Sequence, residues 1–493
     1  MKKNGNGQPK QEQKLKKEKK PSNRKKDREL TAVTYMFVGL FTLMIGYFVY
    51  FEAALSPDVI NNPYNARQEA FAERVVRGSI LSSDGKVLAE TTTSSDGTEK
   101  RSYPYANIFS HVVGYSTRGK TGIESLANFS LLTSSASVGE QIGNELKDEK
   151  NPGDNVITTL DFELQEAAYQ ALGRNRGAVV VLEADTGRIL AMVSKPDFDP
   201  GRINEDWESL TAAGDTQSAL YNRASQGLYA PGSTFKIITL LEYMRENPDY
   251  ENFSFQCNGS LTEGNYTIRC YNKTAHGQED LKKAFAKSCN SAFASIGMSL
   301  DAARFNKTCD SLLFNKELPF DLTYSKSSFS IKDDASPAED MMAAVGQGET
   351  LVSPLHMALL SASIANDGIL MKPYLLDRVE SHTGNVVKRY NPKQYGALMT
   401  PEEAEVLTEY MQEVVKSGTG KRLADLDFPV AGKTGTAEYT SDKSKSHAWF
   451  TGFSDTGDSD IAVCVLVEER GSGSEYAVPI AKELFAIWGR NRE

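Results

Sequence analysis

Residues 178–193 read Ala-Val-Val-Val-Leu-Glu-Ala-Asp-Thr-Gly-Arg-Ile-Leu-Ala-Met-Val. Two apolar runs flank Asp185-Thr186-Gly187, and a turn between such runs predicts a β-hairpin. Upstream, Phe162 to Leu172 carries helical spacing. Downstream, a helix-rich stretch is expected from about 230 to 415. Strands are expected again at Val430–Tyr439, His447–Phe453 and Ile461–Glu468, and a last helix at Val478–Gly489. Helix, two strands, many helices, three strands, helix: this order implies an α/β unit in which distant segments complete one antiparallel sheet.

The stretch ahead of the hairpin reads differently. Residues 56–155 are polar and turn-rich, and Asn151-Pro152-Gly153-Asp154 breaks the chain. Val75 to Ala89 reads as two short strands around Ser83-Asp84-Gly85. A small β-rich module is expected there. Further upstream, the 22 residues Leu30 to Phe51 contain no charge. That is enough to cross a bilayer as a helix, for which about 20 apolar residues suffice. Tyr35, Tyr47 and Tyr50 lie toward its ends, where aromatic side chains favour the headgroup layer. Residues 1–30 hold 12 Lys+Arg against 4 Asp+Glu, and no basic residue follows the span before Arg67. The positive-inside rule places the tail in the cytoplasm and residues 52–493 outside. The divisions expected are a basic tail 1–29, a transmembrane helix 30–51, an N-terminal pedestal 52–155 and a main domain 156–493.

Composition narrows the function. The 493 residues suggest about three units. The chain carries a net charge of −10 although its tail is basic, so its body is acidic. An acidic body speaks against a nucleic-acid surface, which must neutralise phosphates. Five cysteines do not make a disulfide scaffold.

The chemistry lies in three short motifs. Ala230-Pro231-Gly232-Ser233-Thr234-Phe235-Lys236-Ile237-Ile238 places Ser233 and Lys236 one turn apart at the start of an apolar helix. A serine hydroxyl attacks only when a base takes its proton. Lysine becomes that base when burial lowers its pKa. S-x-x-K alone is weak, and it recurs at Ser22–Lys25 and Ser83–Lys86. Company changes its weight. Ser288-Cys289-Asn290 follows 55 residues later, and Lys433-Thr434-Gly435-Thr436 opens the late strands. Gly435 on a strand would allow a substrate to approach the backbone closely.

S-x-x-K, S-x-N and K-T-G in this order resemble the signature of penicillin-binding proteins and serine β-lactamases. The surroundings resemble class B penicillin-binding proteins: Tyr229 to Lys236, Gly346-Gln347-Gly348 with Ser353-Pro354, and Ala431 to Ala437. Arg77-Gly78-Ser79-Ile80, Asp84-Gly85 and Leu88-Ala89 are similar to the front module of that class. Arg101-Ser102-Tyr103-Pro104 and Thr121-Gly122-Ile123-Glu124 resemble its small penicillin-binding protein A subgroup.

The resemblance implies an antiparallel sheet with flanking helices, and a membrane-bound peptidoglycan D,D-transpeptidase acting in cell-wall synthesis. Ser233 would attack the D-Ala-D-Ala carbonyl of a stem peptide and Lys236 would be the base. Ser288 would relay a proton to the leaving D-Ala. Asn290 would hold the substrate amide and position Lys236. Lys433 would lower the pKa of Lys236 by like-charge repulsion. Thr434 and Thr436 would bind the substrate carboxylate, and the N–H groups of Ser233 and Thr436 would form an oxyanion hole. The amine of a second stem peptide would resolve the acyl-enzyme, β-lactams would acylate the same serine, and a membrane glycosyltransferase would be the partner. A D,D-carboxypeptidase or β-lactamase, in which water resolves the acyl-enzyme, uses the same residues. A β-lactam sensor would acylate and signal, but its relatives carry a metalloprotease region that is not visible in this sequence. A structural subunit would have a degenerate site, and the three intact motifs speak against it.

Several further signals stand apart. Gly114 to Thr121 matches G-x-x-x-x-G-K-[ST], but no βαβ unit surrounds it. Cys257 and Cys270 flank a polar loop, and a disulfide is the favoured reading outside the membrane. Cys289 reads as a small packing residue, and Cys464 as strand core. His276 has too few neighbours in the sequence for a metal site. No metal and no cofactor are expected.

Overall fold

The computed structural model describes residues 24–51, 72–212, 218–437 and 445–491. Residues 1–23 of the expected tail and the last two residues of the strand expected at 430–439 lie outside them. The chain divides into a unit up to Asn62 and a unit from Pro63 onward.

The first unit contains helix α1, Arg24–Tyr50. Its described side chains from Arg28 to Tyr50 are all exposed. Thr34 and Thr42 donate back to the carbonyls of Leu30 and Val38, both at 2.8 Å. The two hydroxyls therefore find partners inside the helix itself, as a lipid environment demands. Among the described residues, α1 is the one helix long and apolar enough to cross a membrane.

The second unit begins with a six-stranded sheet. It uses β1 (Ile80–Leu81), β2 (Val87–Thr93), β3 (Glu99–Ser102) and β4 (Asn155–Thr158). The turn expected at Ser83-Asp84-Gly85 joins β1 to β2. Helix α2 (Phe162–Leu172) has the bounds the spacing predicts, and Asp161 caps it by accepting from Leu164 N–H at 2.9 Å. The predicted hairpin follows as β5 (Gly177–Glu183) and β6 (Ile189–Lys195).

Helix α3 (Lys236–Glu246) opens the expected helix-rich stretch, which short strands interrupt. Short strands stand there: β7 (Ser254–Cys257), β8 (Ser260–Glu263), β9 (Tyr266–Arg269) and β10 (Gly277–Asp280). They are four residues long and rich in polar residues, so they carry no clear apolar alternation to read. Helices α4 (Leu281–Ala286) and α5 (Asn290–Gly297) follow. Helix α6 (Pro354–Ala365) starts at a Ser353 cap with proline at its first position, and its side chains from Pro354 to Ile364 are all buried. Strands β11 (Leu376–Glu380) and β12 (Val386–Arg389) break the helical stretch again. They complete the first sheet in the order β12-β11-β4-β1-β2-β3. Helix α7 (Pro401–Lys416) begins with a Thr400/Glu403 capping box.

The late strands are β13 (Val430–Ala437), β14 (His447–Ser454) and β15 (Ile461–Val467). They join the early hairpin in one five-stranded sheet, β13-β14-β15-β5-β6, antiparallel throughout. Both faces are buried. Val179 and Val181 pack with Leu164, Leu484 and Phe485 of α2 and α8 (Gly473–Arg490). Ala178, Val180 and Leu182 belong to the core that holds Leu355 and Leu359 of α6. Period-two alternation thus feeds two apolar cores, which is why β5 reads as a continuous apolar run. Strand β13 lies at the sheet edge.

Candidate active site

Ser233 lies in a single 3₁₀ turn, Gly232–Phe235, that leads into α3. Glycine precedes it for two reasons. Gly232 has φ +52°, and a Cβ there would come within 2.6 Å of the Thr436 carbonyl of β13. Its N–H donates to the Gly346 carbonyl at 2.8 Å. The Trp449 indole donates to the Ala230 carbonyl at 3.1 Å. The nucleophile turn is therefore clamped between β13 and the Gly346 turn.

Lys236, on the first turn of α3, is fully buried. Its Nζ donates to the Ser288 carbonyl at 2.8 Å, to Ser288 Oγ at 3.3 Å and to Asn290 Oδ1 at 2.7 Å. Lys433 on β13 is equally buried, and its Nζ donates to the same Ser288 Oγ at 2.9 Å and to the Thr434 carbonyl at 3.1 Å. Ser288 sits between the two amines in the left-handed region, at φ +57°. A non-glycine residue held there is strained, and such strain is stored where position matters. The Asn290 amide donates to the Arg269 carbonyl at 2.9 Å.

Above this floor opens a cleft of about 880 Å³. Ser233, Ser288, Asn290, Thr434, Gly435 and Thr436 line it. Six of the eight predicted site residues thus face the cleft, and Lys236 and Lys433 lie beneath it. The Ser233 hydroxyl has no hydrogen-bond partner among the described residues.

Burial pushes Lys236 down to about 8, against the upward pull of Cys289, Cys270 and Glu279. Lys433 is pushed well below the ordinary lysine value by burial first and by Lys236 second. Two amines on one hydroxyl titrate as a pair.

Gly435 makes room for the chain itself and not only for a ligand: a Cβ there would meet the Pro231 carbonyl at 2.9 Å and Thr234 Cγ2 at 3.0 Å. Two expectations need correction, the Cys257–Cys270 disulfide and the lack of partners for His276. Cys257 and Cys270 are free thiols with Sγ atoms 3.7 Å apart, far beyond the roughly 2.05 Å of a disulfide. Cys289 and His276 join them, and the four donor atoms lie within 4.8 Å of one another, so residues able to hold a metal do converge here. The strict G-x-x-x-x-G-K-T match follows a short helix, Ser110–Val113, and so lacks the strand a phosphate-binding loop needs. It leads to Glu124, which is buried between Arg77 and Arg101.

Sequence reasoning missed part of the rim. Thr419, Ser472 and Ser474 also line the cleft, beside Gln347 of the Gly346-Gln347-Gly348 segment. Thr419 Oγ1 is 2.5 Å from Thr434 Oγ1. It follows Lys416-Ser417-Gly418, a K-S-G decoy of the K-T-G motif; Gly418 packs closely on the Ala286 carbonyl, to which the Thr419 N–H donates at 3.2 Å. His447 packs edge-on against Tyr229, ring centres 5.3 Å apart, beside the site rather than in it.

Comparison with known proteins agrees with this geometry. Residues 177–486 match the penicillin binding protein transpeptidase domain, and residues 77–156 match the penicillin binding protein A dimerisation domain. The peptidoglycan D,D-transpeptidase PbpA of Mycolicibacterium smegmatis is 31% identical over 440 residues, covering 83% of this chain and 88% of the relative. Among solved structures, the D,D-transpeptidase domain of a peptidoglycan glycosyltransferase from Eggerthella lenta is 33% identical with a TM-score of 0.74, covering 84% of this chain and 99% of that one. Penicillin-binding protein A of M. tuberculosis, solved as a ceftriaxone acyl-enzyme, is 27% identical with a TM-score of 0.75, covering 85% and 99%.

Proposed function

This chain belongs to the class B penicillin-binding proteins, close to the penicillin-binding protein A subgroup, and from that membership we propose that it is a serine D,D-transpeptidase that cross-links peptidoglycan. The observation that carries the reading is the hydrogen-bonded floor Lys236–Ser288–Lys433 with Asn290, beneath a cleft that Ser233 faces.

The roles proposed are those the resemblance implies. Ser233 Oγ attacks the carbonyl between the two terminal D-Ala residues of a donor stem peptide. Lys236 takes its proton, which a lysine held near 8 can do and an ordinary lysine at neutral pH cannot. The proton passes through Ser288 to the leaving nitrogen, and free D-Ala departs. Lys433 holds the other side of the Ser288 hydroxyl. Thr434 and Thr436 bind the substrate carboxylate. The N–H groups of Ser233 and Thr436 hold the oxyanion, an interaction worth several kcal/mol where tested by mutation. The amine of an acceptor stem peptide then attacks the ester, forming the cross-link and freeing Ser233. A β-lactam opens its ring on the same serine.

The chain is anchored by residues 30–51, with residues 1–29 in the cytoplasm, a pedestal over 52–155 and the catalytic domain over 156–493. Its working partner is a membrane glycosyltransferase that supplies the glycan. Product analysis tests the reaction class. With a D-Ala-D-Ala donor and an amine acceptor, the expected products are free D-Ala and a new amide joining the two peptides. Hydrolysed donor alone would instead make the chain a carboxypeptidase.

A further inference from the structure

Cys257, Cys270, Cys289 and His276 come from four separate places. Cys257 ends β7, Cys270 follows β9, His276 precedes β10, and Cys289 caps α5. All three thiols are buried. The Sγ atoms of Cys257 and Cys270 are 3.7 Å apart, and so are those of Cys270 and Cys289. His276 Nδ1 is 3.5 Å from Cys257 Sγ. A tetrahedral Zn²⁺ with Zn–S of about 2.3 Å and Zn–N of about 2.05 Å has S···S edges of about 3.8 Å and S···N edges of about 3.6 Å. Three of the six separations match edges of that tetrahedron, and the other three are no longer than 4.8 Å.

Two further observations point to a cation there. Backbone N–H groups point at two of the sulfurs, Gly259 at Cys257 and Ala292 at Cys289, both at 3.4 Å. Such donors favour the thiolate form that binds metal. Finally, the lobe 254–280 has almost no apolar interior. Apart from its two cysteines, Ile268 is its single buried aliphatic or aromatic side chain. A lobe of this kind needs a staple.

We propose that Cys257, Cys270, Cys289 and His276 bind one Zn²⁺ ion, and that this ion holds the Ser288-Cys289-Asn290 turn in its working position. Three thiolates and one imidazole form a borderline-soft tetrahedral set, which selects Zn²⁺ over Mg²⁺ or Ca²⁺. Cys289 lies between Ser288, held at φ +57°, and Asn290, whose amide is bonded to the Arg269 carbonyl beside Cys270. The ion therefore ties the β8–β9 hairpin to the turn that contacts Lys236. The ligands are positioning residues and do not touch the reacting atoms. The positioning half of the proposal rests on the acyl-transfer reading of the cleft; the metal half does not.

The test uses the full chain in detergent, purified under reducing conditions without a metal-affinity step. Elemental analysis should find about one zinc per chain. Cys257→Ser and His276→Ala should lose it, while Cys309→Ser and Cys464→Ser should keep it. Replacing zinc with Co²⁺ in the wild-type chain should give thiolate-to-cobalt charge-transfer bands and intense tetrahedral visible bands, a readout that needs no variant to fold. Zinc far below one per chain with no such bands, or a Cys257–Cys270 disulfide in the freshly purified chain, overturns the site. Stripping the metal with a chelator should slow acylation by a fluorescent penicillin at least tenfold, and added Zn²⁺ should restore it. An unchanged rate in the stripped chain overturns the positioning role. Zinc-loaded chain that is never acylated refutes the transpeptidase reading and leaves the metal count standing.

Discussion

Lys236 sits where an ammonium group is poorly solvated and where three acceptors hold it in one orientation. Its value of about 8 fixes the sign of a pH effect. Below that value the amine is protonated and cannot take the Ser233 proton; above it the base is free. Acylation by a penicillin should rise about tenfold per pH unit up to near pH 8 and then level off, as expected for one essential base. Stopped-flow acylation across pH 6–9 checks this, and a flat profile would remove Lys236 from the base role. Lys236→Ala should slow acylation by roughly 10²–10⁴-fold, the usual loss for a general base. At this scale the sequence was most informative, because serine, lysine and asparagine at fixed spacing point to one chemistry. It was silent about Thr419 and about the meeting of Cys257, Cys270 and Cys289, since those depend on which loops touch. The disulfide expectation failed for that reason: proximity in sequence suggested a pair, and the fold brought in Cys289 and His276.

The nucleophile turn and the buried charge cluster of the front module make predictions at the scale of elements. Gly346 has φ +71°, and a Cβ there would lie 2.2 Å from the Gly232 carbonyl. Gly346→Ala must move the turn that carries Ser233. It should slow acylation more than tenfold and destabilise the fold by more than the roughly 1–2 kcal/mol of a left-handed alanine. Acylation kinetics and a thermal melt check both. In the front module, Glu124 is fully buried, with Arg77 Nε at 2.7 Å and Arg101 Nε at 2.8 Å. Burial alone would raise its pKa, but the two arginines hold it below the ordinary glutamate value. Its stabilising effect is therefore present above the unfolded carboxyl range and lost as pH falls through the lower folded value. Glu124→Ala leaves two partly buried cations without their partner and should cost about 3–5 kcal/mol by denaturant melt. Helix α2 and the β5–β6 hairpin were legible because apolar period and caps agree there. Strands β7 to β12 were not, being only four or five residues long and lacking a clear apolar alternation.

For the molecule as a whole, the five-stranded sheet sets the site. Strands β5 and β6 stand some 250 residues ahead of β13, yet β13-β14-β15-β5-β6 is continuous. That closure holds K-T-G at an edge where the Ser233 turn can dock. The sequence implied this arrangement through its order of apolar runs, while the second sheet, which pairs β4 with β11, was not foreseen. Helix α1 offers lipid an uncharged surface over its last 21 residues, Leu30 to Tyr50. The full chain should fractionate with membranes and resist alkaline carbonate extraction, and a chain lacking residues 1–51 should not. The most direct test of the account is intact-protein mass spectrometry of the full chain after exposure to benzylpenicillin, with peptide mapping and Ser233→Ala beside it. The account predicts a persistent adduct of one penicilloyl group, located on Ser233 and absent from the variant. An unmodified wild type that melts cooperatively, or an adduct on any other residue, would contradict it.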